Sequence, residues 1–174
     1  MNAPAPRGTC LAALALLLAG SPLPAKESRS AKAAKAVKTA AVRPAVVPLA
    51  VGKALLRTEI VDNDSLRAQG LSDRKSMPWD AGMLFVFPDA RQRTFWMIDC
   101  SFDLDIAYLD PQGVVRDIQT MVIEPGVSPE NLARYVSRTD DIMYALEVNR
   151  GWFASQGLRV GDRLESVVRF KTRR

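Results

Sequence analysis

Apolar and polar positions alternate from Ala54 onward in a way that divides the chain into short strands. The run ALLRTEIV (54–61) has the β-branched and apolar content of an opening strand. Asp62-Asn63-Asp64 breaks it, with Asp64 placed to cap a short helical turn through SLRAQ that Gly70 ends. MPWDAG reads as a turn, and GMLFVF as a buried strand of continuous apolar character, closed by the PDARQ loop.

The next stretch, TFWMIDCSFDLDIAY, has two halves. Phe95 to Ile98 is apolar on both faces, which predicts a strand covered on both sides. From Phe102 the pattern alternates. Phe102, Leu104, Ile106 and Tyr108 share one face, and Asp103 and Asp105 share the other, which predicts that these two acids point away from the core. Asp110-Pro111-Gln112-Gly113 is a strong turn signal that folds the chain back into VVRDIQTMVI as a hairpin. EPGVSPENLARYVSRTDD is long for a connection and reads as an exposed excursion, with Ser128-Pro129-Glu130 capping one short helix. IMYALEV restores strand character. Asn149 then caps a helix over GWFASQ, and RLESVVRF reads as the last strand.

At least six short strands with only short helices predict a mainly β fold bordering on α+β: a compact antiparallel barrel or sandwich. No internal repeat is visible, and no Gly-rich strand-to-helix loop is present to cradle a nucleotide.

The amino-terminal third follows different rules. Residues 1–25 combine a single Arg7, an apolar run from about Cys10 to Ala19 and small residues ending at Ala25, the pattern of a secretory signal peptide. The apolar run is about half of what a membrane span needs, so no transmembrane anchor is expected. An exported protein, periplasmic or secreted, follows. Residues 26–48 form a basic Ala/Lys/Pro stretch with almost nothing to bury, expected to be a disordered linker, which leaves 49–174 as one folded domain. The linker carries six cations against Glu27, a net +5 that equals the charge of the whole chain; with Arg7 set aside, the remainder from Leu49 is −1. A basic tail without interleaved aromatics suits weak contact with anionic envelope surfaces and not nucleic acid. Once a leader containing Cys10 is removed, Cys100 is the remaining cysteine, which forbids an intramolecular disulfide.

Histidine is absent from the sequence. That excludes His-dependent hydrolysis and histidine-ligated zinc, and neither a metal nor a cofactor is expected. The remaining polar candidates are Arg74, Asp99, Asp105 and Glu147, which form a cluster if the FWM and YALEV segments are neighbours. Such a cluster suits acid/base work or a hard cation; the plainer alternative is solvated strand faces, capped turns and pairing with Arg74. Cys100 lacks a base to activate it and reads as a small buried hydrophobe. Trp79, Trp96 and Trp152, with Phe95 and Phe102, either line an aromatic pocket or fill a core.

GMLFVF, FWM, LDIAYLD, YALEVNRGW and GLRVGDRL, in this order from about Leu56 to Phe170, resemble the prokaryotic family known as domain of unknown function 192. The resemblance implies a compact, mainly β domain and no established activity. The family's Arg-Gly-Leu-Met and following Arg correspond to Gln69-Gly70-Leu71-Ser72 and Arg74, and its Trp-Met pair to Trp96-Met97. Its Lys-Asn-Thr is replaced by Ile98-Asp99-Cys100, and its Pro-Leu-Asp-Ile by Asp103-Leu104-Asp105-Ile106. The Leu-Glu pair and downstream Gly remain as Leu146-Glu147 and Gly151.

The residues favour a non-catalytic exported module that binds a small molecule or envelope polymer. Two alternatives stand beside it: a carboxylate-dependent hydrolase, and an accessory interaction module whose basic tail meets anionic envelope partners.

Overall fold

The structure, a computed structural model, describes residues 43–170. The predicted leader and residues 26–42 of the predicted linker lie outside them. Eight strands form in the order β1 (Ala45–Val51), β2 (Ala54–Val61), β3 (Ala81–Arg91), β4 (Thr94–Phe95), β5 (Leu104–Leu109), β6 (Val115–Met121), β7 (Tyr135–Val136) and β8 (Ile142–Asn149). Three short α-helices accompany them, α1 (Asp64–Gln69), α2 (Trp152–Ser155) and α3 (Glu165–Val168), with one turn of 3-10 helix at Pro129–Asn131 where the sequence placed a short helix.

Six strands make one sheet in the order β1-β2-β3-β8-β5-β6, and β4 pairs with β7 in a small ribbon. The sheet does not close into a barrel, since β1 and β6 are its two ends. It is mixed where antiparallel pairing was expected throughout: β2 and β3 run parallel because α1 and the following loop carry the chain back before β3 begins.

Both faces of the sheet are covered, which gives the domain a sandwich-like build. One face carries Leu56, Leu84, Val86, Ala107, Leu146 and Val148 under Trp152 and Phe153 of α2 and Val167 of α3. The other carries Val61, Met83, Phe85, Ile106, Tyr108 and Ala145 under Leu66 of α1, Leu71 and Met97. Adjacent residues of one strand feed opposite cores, as the two-residue period requires. Gly82 lets β3 approach β8 closely: a Cβ there would lie 2.7 Å from Leu56 Cδ2 and 2.8 Å from the Glu147 carbonyl oxygen.

Several sequence expectations change for local reasons. Ala45–Pro48, read from the sequence as the end of the linker, belong to β1: they pair with Arg57–Ile60 across a hairpin turned at Gly52. Trp96 to Ile98 leaves the ladder after two residues of β4, as the ribbon with β7 holds only Thr94 and Phe95. RLESVVRF is not a strand. Its Glu165–Val168 segment turns as α3 and so drops Val167 into the first core beside Leu164. The cap of α1 is Asn63, whose side-chain oxygen accepts the Leu66 N–H at 3.0 Å, and not Asp64. Asn149 does not cap α2 either; its amide donates to the carbonyls of Met77 and Pro78 at 3.2 and 2.9 Å, and Gly151, at φ +85°, precedes the helix.

The largest correction concerns Asp103 and Asp105. Asp105 is buried, on the first face between Asp103 and Ala107, because α2 and its loop cover the side that the alternation assigned to solvent. Its two oxygens accept hydrogen bonds from the Thr120 hydroxyl and the Gly151 N–H, both at 2.7 Å. Asp103 is half-buried at the strand entry, where it accepts from the Ile123 N–H and from Arg150, both at 2.9 Å. The Ile123 amide, with Arg150, holds the Asp103 carboxyl below its ordinary pKa.

Removing the buried Asp105 carboxylate takes away the partner of both the Gly151 N–H and the Thr120 hydroxyl, so Asp105→Ala is expected to cost about 1–3 kcal/mol in urea denaturation. Asp103→Ala, with partners nearer to water, is expected to cost less than about 1 kcal/mol. Equal costs would contradict the burial of Asp105.

Candidate functional site

Glu147 stands in β8, between Met83 of β3 and Ile106 of β5, so it faces the second core from the middle of the sheet. It is 5% exposed. Among the described residues its carboxyl group accepts and donates no hydrogen bond and makes no ion pair within 4 Å. Burial pushes it up to about 8, against the opposing pull of the Arg74 charge. A carboxyl group in that condition is largely protonated at neutral pH.

What Glu147 faces is a cavity of about 620 Å³. Phe85, Phe87, Phe95 and Ile98 supply apolar wall, Trp96 lies at the rim with 46% of its surface exposed, and Arg67, Arg91 and Arg93 add positive charge. The aromatic wall is fixed by packing: Phe95 sits edge-on to Phe85, Phe87 and Tyr108, with ring centroids 5.0, 6.4 and 5.8 Å apart. Arg93 lies 3.9 Å over the Phe87 ring and donates to Asp89 at 2.8 Å and to the Ile142 carbonyl at 3.3 Å. Arg67 donates to the Val86 carbonyl at 2.8 Å and to Asp64 at 2.6 Å. Arg91 is the more exposed of the three and meets Asp89 at 3.6 Å.

Two loops close the Glu147 end. The Ser72 hydroxyl and the Cys100 thiol both donate to the Ile98 carbonyl, at 3.0 and 3.6 Å, and the Asp73 N–H donates to the Asp99 carbonyl at 2.9 Å. Asp73 and Asp99 hold left-handed backbone, with φ of 64° and 53°, which tightens both turns. Cys100 lines the cavity, and its thiol is pushed up to about 11 by burial, then by the charges of Glu147 and Asp99. It is therefore a poor nucleophile at neutral pH.

The four polar residues singled out in the sequence do not meet as one cluster. Arg74 grips Glu59 of β2 through both guanidinium nitrogens, and that hydrogen-bonded pairing raises its pKa. Its charge is felt by Glu147 without direct contact. Asp99 is exposed, and Asp105 lies on the opposite face of the sheet from Glu147. No group of three His, Cys, Asp or Glu side chains among the described residues could hold a metal ion. The tryptophans are likewise apart: Trp79 is exposed, Trp96 is at the cavity rim, and Trp152 is buried with Phe153 under the first face.

Sequence reasoning picked out Phe95 but missed Phe85, Phe87 and the cavity arginines. Arg67, Arg91 and Arg93 recur near Phe87 and Phe95, but a charge at a strand end carries no sign that it turns inward over a ring. Glu147 carried a readable signal, being the one charge in the apolar run MYALEV.

Among the described residues no helix is long and apolar enough to cross a membrane. A family model, DUF192, described as Uncharacterized ACR, matches residues 47–166. A crystal structure from Sinorhizobium meliloti 1021, of a protein provisionally assigned as a transcription regulator, is 32% identical. It aligns with a TM-score of 0.61 over 73% of this chain and 98% of that one. A protein of unknown function from Novosphingobium aromaticivorans DSM 12444 is 24% identical and shares the fold, with a TM-score of 0.58 over 71% of this chain and 92% of that one. No curated protein matches. The family match covers more than half of the sequence and agrees with the ordered motifs around Gly70, Trp96 and Glu147, so this chain belongs to the DUF192 family.

Proposed function

We propose that this chain is an exported, non-catalytic binding module that holds a small organic molecule in the cavity against Glu147. One observation carries the reading: a buried carboxyl group with no partner among the described residues is aimed into an aromatic-walled cavity. Buried polar groups in folded proteins are almost always satisfied, and one left open toward a cavity is where a ligand's polar group fits. Export rests on the leader pattern of residues 1–25, and the basic stretch after it suits an anionic envelope surface.

The hydrolase alternative needs two carboxyl groups across one cleft. Of the acids that the sequence singled out, Glu147 lines the cavity while Asp99 and Asp105 do not, and the other acid in the wall, Asp64, is paired with Arg67. The regulator assignment of the Sinorhizobium protein does not carry over easily. From Leu49 onward this chain is −1, the wrong sign for a surface that tracks phosphates.

Keeping Glu147 in the sheet costs stability. Its folded-state pKa of about 8 lies above the ordinary 4.5, so the folded state binds the proton more tightly than the unfolded state. Its contribution is therefore most favourable below pH 4.5 and declines as the pH rises from there to about 8. Glu147→Gln removes that slope. In urea titrations across this range the wild type is expected to lose on the order of a few kcal/mol relative to the Gln variant. Parallel pH profiles would show that Glu147 is ordinarily solvated.

The cavity itself is tested with 8-anilinonaphthalene-1-sulfonate, an apolar anion. One equivalent is expected to bind the folded protein, to take up excitation from Trp96 and to raise the melting temperature. Ser72→Phe, which fills the Glu147 end, is expected to abolish binding while Ser72→Ala keeps it. Absence of binding, or binding equal in Ser72→Phe, would remove the cavity as the site.

A further inference from the structure

We infer that the cavity selects carboxylate-bearing molecules with an apolar body and binds them through the proton carried by Glu147, so that the site releases them when Glu147 ionises. This rests on the cavity being the ligand site and adds the ligand's charge class and a pH gate.

The argument starts from the charges around the cavity. Its wall contains Arg67, Arg91 and Arg93 against Asp64 and Glu147. With Glu147 protonated the wall keeps a small positive excess, since Asp64 pairs with Arg67 and the single Asp89 is shared by Arg91 and Arg93, and the Glu59-paired Arg74 is felt at Glu147. An ammonium ligand entering there meets that field. Its aromatic partners are also partly taken, since both Arg67 and Arg93 already lie over the Phe87 ring. A carboxylate meets the opposite situation, with an acidic O–H at the buried end and no competing acceptor bonded to it.

A hydrogen bond from a carboxylic acid to a carboxylate is charge-assisted and strong in a site that excludes water. Phe85, Phe95 and Ile98 then receive the apolar body. The same geometry sets the gate. Once Glu147 loses its proton, two carboxylates meet at the buried end of the cavity, and like charges at hydrogen-bond distance strongly disfavour one another there.

The other groups facing Glu147 do not supply the titration. From β5, Tyr108 has its hydroxyl bound to the Tyr135 carbonyl at 2.6 Å, and burial raises its pKa. From the loop after β4, the Cys100 thiol sits up to about 11, and Asp99 is exposed. From the loop after α1, Ser72 does not titrate in water and Arg74 is locked on Glu59 of β2. The β3 neighbour is Met83, and the arginines at the far end stay charged throughout.

Two probes with one ring system test this by calorimetry on the full chain: 2-naphthoate, and (2-naphthylmethyl)trimethylammonium, whose charge is permanent. Naphthoate is expected to bind at pH 6 and to weaken by about tenfold per pH unit above pH 8, as the binding-competent fraction falls. The ammonium probe is expected to bind far more weakly. Glu147→Gln is expected to abolish the pH dependence for naphthoate, with its fold checked by circular dichroism. Should that variant fail to fold, the wild-type profiles decide alone.

A flat naphthoate profile in the wild type, or tighter binding of the ammonium probe, overturns the inference. If 8-anilinonaphthalene-1-sulfonate binds while neither naphthyl probe does, the cavity reading stands and this inference fails. If none of the three binds, both fail.

Discussion

Strand β8 lies between β3 and β5 in a sheet whose two faces are both covered, and the rest of the molecule is arranged around that constraint. Every side chain of β8 from Tyr144 to Val148 is buried, and its backbone is used on both sides by the ladder. A polar group placed there has no route to bulk water along the strand. It must find a partner in the core or in a cavity. Glu147 is that group, and the segments around Gly70, Phe95 and Cys100 leave a cavity of about 620 Å³ in front of it.

The other buried acids are tied to turns and cations, although Asp110 Oδ2 and Asp117 Oδ1 take an ion pair each and no hydrogen bond. Asp105 joins the Gly151 N–H to Thr120 and so fixes the turn into α2. Asp110 accepts the N–H groups of Gln112 and Val114 at 2.8 and 2.9 Å, closing the hairpin between β5 and β6, and its second oxygen meets Arg116 at 2.6 Å. Asp117 pairs with Arg138 and accepts from Gln119. Each of these carboxylates is tied to a turn or a neighbouring segment. Glu147 has no such tie among the described residues, and the proposal of a ligand rests on its facing the cavity instead.

The strands were legible in the sequence where their periodicity was long. GMLFVF, LDIAYLD, VVRDIQTMVI and IMYALEV became β3, β5, β6 and β8 with the expected turns, and the family motifs lie along them. What failed was inference about faces. Alternation at Asp103 and Asp105 has the same form whether the polar face meets water or a hydrogen-bonded turn, and α2, four residues long, covers that face through Trp152 and Phe153. Val167 and Leu164 gave RLESVVRF a strand-like pattern too short to exclude one helical turn. At the site, Glu147 and Arg74 were visible as residues but not as a separated pair. Glu59, an ordinary charge in ALLRTEIV, takes both guanidinium nitrogens of Arg74 and leaves Glu147 alone. No local pattern encodes which of two acids an arginine chooses.

The central claim is that Glu147 is held in the sheet as a neutral acid facing the cavity. Selective ¹³C labelling of glutamate side chains, with the Glu147→Gln protein to assign the resonance, reads its protonation directly. The account predicts a carboxyl carbon that titrates with a midpoint near 8 in the ligand-free protein. A midpoint near the ordinary glutamate value of 4.5 would show a solvated or paired carboxylate and contradict it.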